Sequence, residues 1–428
     1  MLFKNITIID ENFNSEQNMY VGIEGEKITY ISKKEPQKEF GRIYEGKDKL
    51  LMSGFVNSHG HSPMALMRGY GENMILQDWL EQKIFPFEAK LDGNAVYWGT
   101  LLSMAESLRF GIVSTTDMYD FHENMVEAIL TSGAKSNLSR AITNFKDEDI
   151  WQLAGGREMM DLYKNYHNIG GGKLKVDMGL HAEYTSTEKT VIQLADFTRE
   201  LGVNMQVHVS ETQAEHENCK AKYGLTPVAY LNKHGLFDTP TTAAHCVWIE
   251  GEDFDILKEK GVTVACNPVS NMKLASGICN TPKLLANGIN VGIGTDSVAS
   301  NNNLNFIEEL KYFATVAKTR NSDPSAISSK EAIIAGTYSG AKAQGRTDCG
   351  KLAINNRADL IVIDISGPHM KPVHNLLNNL VYSASGSDVI MTMVDGKILY
   401  ENGEYLTIDI EKTIAEVDRA KDKILKAL

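Results

Sequence analysis

The sequence predicts an α/β fold: a (β/α)8 TIM-like barrel with a small β-sandwich domain formed by both chain termini. Three observations lead there. Eight short apolar runs alternate with amphipathic helical stretches through the middle of the chain, and strands alternating with helices imply parallel pairing, because each crossover must carry the chain back to the same end. The two ends of the chain instead show period-two runs separated by turn signals. Potential ligands and proton carriers gather at the ends of the proposed strands, where barrels of this type keep their chemistry.

The elements follow in order. "FKNITIID", "NMYVGIEGEKITYIS" and "GRIYEGKDKLLM" alternate as strands, with "EGEK" as a hairpin turn. The eight barrel strands are expected in "SGFVNSHGH", "GIVSTTDMY", "LSRAITNF", "LKVDMGLHAEY", "VNMQVHVSE", "TTAAHCVW", "GVTVACNPVS" and "INVGIGTDS". Between them "AVYWGTLLSMAESLRF", "TEKTVIQLADFTRELG" and "EDFDILKEKG" read as amphipathic helices. A doubly wound open sheet is the competing arrangement, but it usually brings a glycine-rich phosphate turn after its first strand. Here that turn carries histidines. Beyond residue 347 the β pattern returns in "GKLAINNRADLIVIDIS" and "DVIMTMVDGKILYENGEYL", with "VDGK" and "ENGE" as turns, before a final helix in "DIEKTIAEVDRAKDKILKAL". The expected division is therefore 1–56 for the first part of the sandwich, 57–347 for the barrel, and 348–428 for the second part of the sandwich with its helix.

Composition narrows the function classes. The 428 residues are 43% hydrophobic and 23% charged, ordinary for a globular chain. A net charge of −12 without a basic cluster argues against nucleic-acid or anionic-membrane partners. No apolar run approaches the roughly 20 residues of a membrane span, and the opening "MLFKNITIID" lacks the charged and apolar regions of a secretory signal. Five scattered cysteines with no CxxC point to a reduced, cytoplasmic protein. A homo-oligomer is compatible with a barrel of this size, though no surface stripe marks an interface.

The chemistry is carried by a few side chains. His59 and His61 stand two apart at the end of the first barrel strand, so they point to the same face. Alone they would also suit a polar strand end. His208 on strand five and Asp296 after strand eight complete a set of three imidazoles and one carboxylate, which zinc or another divalent first-row metal accepts with room for a water. Such an ion lowers the pKa of a bound water, so carboxylates must manage protons. Asp296 is placed to take the first, and Glu211, three residues past His208, to deliver one to a substrate. His245, ending strand six, could hydrogen-bond the attacking hydroxide. A solvated loop carboxylate and a core histidine are the plainer alternatives for Glu211 and His245.

"GFVNSHGHSPMALMRGYGENMILQDWLEQKIFPFEAKL", "HVSET", "AAHCVW", "NPVSNMKLASG" and "GIGTDS" together resemble the amidohydrolase superfamily. They look most like its 5-methylthioadenosine/S-adenosylhomocysteine deaminases and the related triazine chlorohydrolases. The resemblance spans nearly the whole chain and implies one divalent metal ion, zinc foremost with iron or manganese also fitting. It would be held by His59, His61, His208 and Asp296, with Glu211 shuttling a proton to a ring nitrogen and His245 orienting the hydroxide. It further implies that Glu88 binds ribose hydroxyls, that His181 contacts the purine, that Trp79 forms an apolar wall, and that Arg140 and Arg157 face a homocysteine carboxylate. Trp79 and Glu88 also fit a helix core residue and an exposed helix carboxylate. One departure is Cys266 before Asn267, where relatives often carry histidine. The implied reaction is hydrolytic deamination of an adenine nucleoside to its inosine analogue and ammonia. Hydrolysis of a triazine, a pterin or guanine on the same scaffold is the alternative, and a catalytically silent scaffold a more distant one.

Overall fold

The computed structural model describes residues 1–428. The N-terminal strands are β1 (Leu2–Ile9), β2 (Ser15–Glu24), β3 (Lys27–Ser32), β4 (Ile43–Glu45) and β5 (Lys49–Ser53). The barrel strands are β6 (Phe55–Gly60), β7 (Ile112–Met118), β8 (Lys135–Ser139), β9 (Ala141–Ile142), β10 (Leu174–Val176), β11 (Met178–Leu180), β12 (Met205–Val209), β13 (Thr241–His245), β14 (Thr263–Cys266) and β15 (Asn290–Ile293). The C-terminal strands are β16 (Leu360–Asp364), β17 (Val389–Val394), β18 (Lys397–Glu401) and β19 (Glu404–Tyr405).

Both chain ends share one nine-stranded sheet, ordered β19-β18-β17-β16-β5-β1-β2-β3 with β4 on β1. The join is the antiparallel pair of β5 and β16, with Leu51 opposite Val362. The "DG" and "NG" turns are tight hairpins in which Asp395, Gly396, Asn402 and Gly403 all take positive φ, the backbone such turns require. The sheet has its own core of 14 buried residues contributed by both ends, among them Phe3, Val21, Leu51, Leu360 and Met393. Of "GKLAINNRADLIVIDIS", only Leu360–Asp364 is strand; the first barrel strand begins at Phe55.

All eight expected barrel runs contain strand, and every barrel pairing is parallel. The third and fourth runs are each broken in two, at Arg140 and at Asp177. The Asp177 carboxylate is buried and accepts hydrogen bonds from Asn137 Nδ2 (3.0 Å) and Gln206 Nε2 (3.0 Å). Their lower halves pair as β8·β10 and their upper halves as β9·β11, so two hydrogen-bonded sheets make up one barrel. The seam closes where Gly60 bridges Asp296 and the Asp296 amide donates to the His59 carbonyl at 3.0 Å.

The strands are covered by helices on the outside and side chains within, so β7, β12 and β13 are buried at every position, as parallel strands are. Helices Gly93–Arg109 and Glu188–Leu201 start at Asp92 and Thr187, whose side chains accept from backbone amides. The C-terminal helix Ile410–Ala427 packs on Gly93–Arg109. No helix is long and apolar enough to cross a membrane. Between β6 and β7 a helical segment runs from Leu76 to Glu88 through a π turn at Leu80–Ile84 and lies over the barrel mouth.

Candidate active site

The carboxyl ends of the strands open into a cavity of about 440 Å³. His61, His181, His208, Glu211, His245 and Asp296 line it, with Glu88, Trp79 and Arg140 further out.

His59 and His61 leave the end of β6 on one face, with ring centroids 4.8 Å apart. His61 donates from Nδ1 to the Met118 carbonyl (2.7 Å), and His208 from Nδ1 to the His181 carbonyl (2.7 Å). These bonds fix the tautomer and leave each Nε2 lone pair facing inward, as the outer hydrogen bonds of metal-binding histidines do. The Nε2 atoms of His59 and His61 lie 3.6 and 3.4 Å from Asp296 Oδ1. His59 Nε2 is buried with no hydrogen-bond partner. Two overlapping sets converge to metal-binding spacing: His59, His208 and His245, and His59, His61 and Asp296. Burial first, and then the neighbouring imidazoles, hold His59 and His208 well below the usual histidine pKa. They are neutral imidazoles at neutral pH. The orphaned Nε2 and the three-imidazole, one-carboxylate donor set fit a divalent ion.

Asp296 is held on three sides. Its Oδ2 accepts from Ser270 Oγ (2.6 Å) and Ser300 Oγ (3.2 Å), and its Oδ1 from the Ser297 amide (2.8 Å). Burial would raise its pKa, but His245, His61 and these donors win and lower it. The glycines of "GIGTDS" permit the seam: a Cβ on Gly294 would sit 2.9 Å from His59 Cβ and 2.2 Å from Asn267 Oδ1.

Glu211 and His245 face each other, with Oε2 and Nε2 3.7 Å apart. Burial pushes the Glu211 carboxyl up to about 7; Asp296 and Glu215 add to this, while His245 and Ser276 oppose it. His245 donates from Nδ1 to Asn271 Oδ1 at 2.8 Å, which turns Nε2 toward Glu211. Its burial lowers the pKa, yet Glu211, Asp296 and Asn271 together carry it upward. The backbone is strained here. Ser210, His245, Cys246 and Asp296 are non-glycine residues at positive φ, a conformation that costs about 1–3 kcal/mol each and concentrates at functional sites.

Three supports lie outside the candidates read from the sequence. Glu215 accepts from the amides of Ser210 and Glu211, each at 2.7 Å, and so holds the turn that presents Glu211. Asn271 aims His245. Tyr119 donates its hydroxyl to Glu88 Oε1 at 2.6 Å, although burial raises the Glu88 pKa against that bond.

The structure brings most of the remaining candidates to the cavity. His181 follows β11, bonds Thr185 Oγ1 through Nδ1 (3.0 Å), and is lowered to about 4 by burial, His61 and His245. Trp79 is 5% exposed and donates Nε1 to the Gly71 carbonyl, presenting its ring to the cavity wall. Arg140 lines the wall at the break between β8 and β9. Arg157 corrects the expectation. It lies in helix Ala154–Tyr166 outside the cavity lining, and its guanidinium is taken up by the carbonyls of Gln152 (2.6 Å) and Trp151 (3.3 Å). Cys266 is buried outside the cavity, in a small pocket with Cys279, Met272 and Phe313.

The fold and the mouth of the barrel define a class: residues 50–399 match the amidohydrolase family, and the chain belongs to it. Within that family it is 41% identical over 399 residues, 93% of each chain, to the 5-methylthioadenosine/S-adenosylhomocysteine deaminase of Dictyoglomus thermophilum. It is 40% identical over 428 residues, 99% of each chain, to the protein of the same name from Thermoanaerobacter pseudethanolicus. Among solved structures it resembles an adenosine deaminase from Xanthomonas campestris with bound zinc, at a TM-score of 0.93 and 27% identity over 99% of this chain and 98% of that one.

Proposed function

We propose that the protein deaminates adenine nucleosides, 5′-methylthioadenosine, S-adenosylhomocysteine or related 5′-modified adenosines, to the inosine analogue and ammonia. The observation that carries this is one cavity in which a three-imidazole, one-carboxylate cluster, a protonatable Glu211 and the Glu88–Tyr119 pair all face the same space.

His59, His61, His208 and Asp296 would hold one divalent ion, zinc foremost, with iron or manganese compatible with the same donors. When bound, such an ion brings the pKa of a water toward neutrality and so supplies a nucleophile at ordinary pH. The protein's part is positioning and proton transfer. His245 accepts or donates a hydrogen bond through Nε2 and orients the attacking water toward the carbon that bears the exocyclic amine. Glu211 gives its proton to the adjacent ring nitrogen, so negative charge does not build there. Asp296, kept ionised by His245, His61 and its hydroxyl and amide donors, carries one proton from the attacking water to the leaving nitrogen, and the water's second proton, released as the carbonyl forms, restores Glu211. His181 packs beside His208 (ring centroids 4.9 Å apart) as the neutral face for the purine. Trp79 walls the cavity, and Glu88, set by Tyr119, meets the ribose hydroxyls. A triazine, pterin or free base offers no vicinal diol for that carboxyl.

We read the nine-stranded sheet and its 14-residue core as the small β-sandwich built from both chain ends, with the barrel between them beginning at the strand Phe55–Gly60. The five cysteines are all free and buried, consistent with a reducing cytoplasm.

The test is ammonia release from a panel of adenine nucleosides, triazines, pterins and free bases, using protein of measured metal content. Turnover of 5′-modified adenosines, lost on chelation and restored by zinc, is expected. Activity confined to triazines, pterins or free bases overturns the reading.

A further inference from the structure

We propose that the outer wall of the cavity selects adenine nucleosides whose 5′ substituent is uncharged and apolar, such as a methylthio or deoxy group, over those that end in a carboxylate, such as S-adenosylhomocysteine. The proposal rests on the nucleoside deaminase reading above.

Apart from imidazoles, Arg140 is the only cationic side chain in the cavity wall. Its Nε and Nη1 are already engaged. Nε donates to Glu158 Oε2 at 2.9 Å, and Nη1 to the Ala141 carbonyl at 2.6 Å and to the Asp120 carboxylate. Asp120 itself lines the cavity, with its side chain 52% exposed. With Asp120 in the wall and Glu158 just behind it, the cluster around this guanidinium carries a formal charge of −1, and Glu88 lies close enough to feel both Asp120 and Arg140. An incoming carboxylate must therefore displace one of two charge-assisted partners or enter a net negative field. Both are unfavourable, since a charge-assisted bond must be given up or a carboxylate brought beside others of the same sign, an effect that exposure of Asp120 and Glu158 keeps to a modest size. Arg157, the other guanidinium nearby, is held by backbone carbonyls outside the cavity.

The rest of the rim suits an apolar tail. Leu76, Leu80, Ile84, Phe85, Phe145 and Leu274 line it, and Phe85 and Phe145 stand 49% and 75% exposed. A thioether methyl would cover this apolar surface without any ionic partner. The specificity is thus built as much by repulsion of the wrong tail as by attraction of the right one.

The experiment compares kcat/KM for 5′-methylthioadenosine, 5′-deoxyadenosine and S-adenosylhomocysteine in the zinc-loaded wild type and in Glu158→Gln, Asp120→Asn/Glu158→Gln and Asp120→Asn/Glu158→Gln/Arg140→Ala variants. The wild type is expected to favour 5′-methylthioadenosine over S-adenosylhomocysteine at least about tenfold. The ratio should fall stepwise, by a few-fold at each step, in the single and double variants as Arg140 is freed, mainly through KM for S-adenosylhomocysteine. It should rise again in the triple variant. Ratios taken within each variant cancel any loss of folded enzyme. A wild type that uses S-adenosylhomocysteine as well as 5′-methylthioadenosine, or a double variant with an unmoved ratio, overturns the proposal. Wild-type silence toward all three nucleosides removes the deaminase reading instead, and the selectivity with it.

Discussion

Glutamine in place of Glu211 separates proton delivery from everything else the site does. The carboxyl is 7% exposed, accepts a long bond from Ser276 Oγ (3.4 Å) and has its pKa pushed up to about 7, first by burial. Burial therefore makes this carboxyl hold its proton more readily than an ordinary glutamate, as a group that delivers a proton must. Glutamine keeps the volume and the acceptor for Ser276 but cannot act as the acid. A positioned acid or base contributes about 10²–10⁴-fold, which corresponds to roughly 2.7–5.5 kcal/mol of barrier. The loss should fall on kcat for 5′-methylthioadenosine, while KM stays within a few-fold. Thermal stability should hold or rise, because the substitution removes a carboxylate that burial disfavours. Steady-state ammonia release, metal content and a thermal melt on the same preparation give the three readouts. Turnover within about threefold of wild type at equal metal content would refute this proton path, since the stated contribution begins near a hundredfold.

Two further outcomes concern buried carboxyls around the site. Glu215→Ala removes the acceptor for the Ser210 and Glu211 amides; at roughly 1.5–3 kcal/mol for each bond to a charged group, Tm should fall, and kcat should fall with it as Glu211 loses its place. A melt and a kcat unchanged from wild type would remove Glu215 from that role. Glu309, buried behind the Asp296 turn and bonded by Asn301 Nδ2 (2.5 Å), is pushed by burial from 4.5 to about 8. The native state then binds a proton that the unfolded chain has released. This contribution is full below the unfolded pKa and drains away as pH rises toward the folded one. Glu309→Gln should match wild type in Tm near pH 5 and exceed it by pH 9, and a gap that stays constant with pH would contradict the assignment.

The barrel was legible because its signal is periodic: eight β runs between amphipathic stretches admit few alternatives once parallel pairing is required. His59 and His61 were legible for a similar reason, since i and i+2 on a strand share a face. The breaks at Arg140 and Asp177 were not, because they depend on partners in other strands: the Asp177 carboxylate takes its bonds from Asn137 and Gln206. Tyr119 reads as an aromatic at a strand end, and only the third dimension sets it against Glu88 from the preceding crossover. Glu215 is visible as the third residue of a capping box with Thr212, but that pattern does not say that the same carboxylate also holds the amides of Ser210 and Glu211. Arg157 shows the opposite failure: a local match suggested a substrate contact, while carbonyls five and six residues earlier take up the guanidinium.

The seam at Gly60 and Asp296 bears on how the chain reaches this state. The residues that meet there are separated by more than half the sequence, so their contact is among the most entropically demanding to form. The β5–β16 pair brackets the same interval from outside and draws the two ends of the barrel together. Such non-local closures slow folding and come late. The site straddles the seam, so it does not exist in any partly folded barrel, and an ion gripping residues of β6 and the Asp296 turn would fasten shut a loop of more than half the chain.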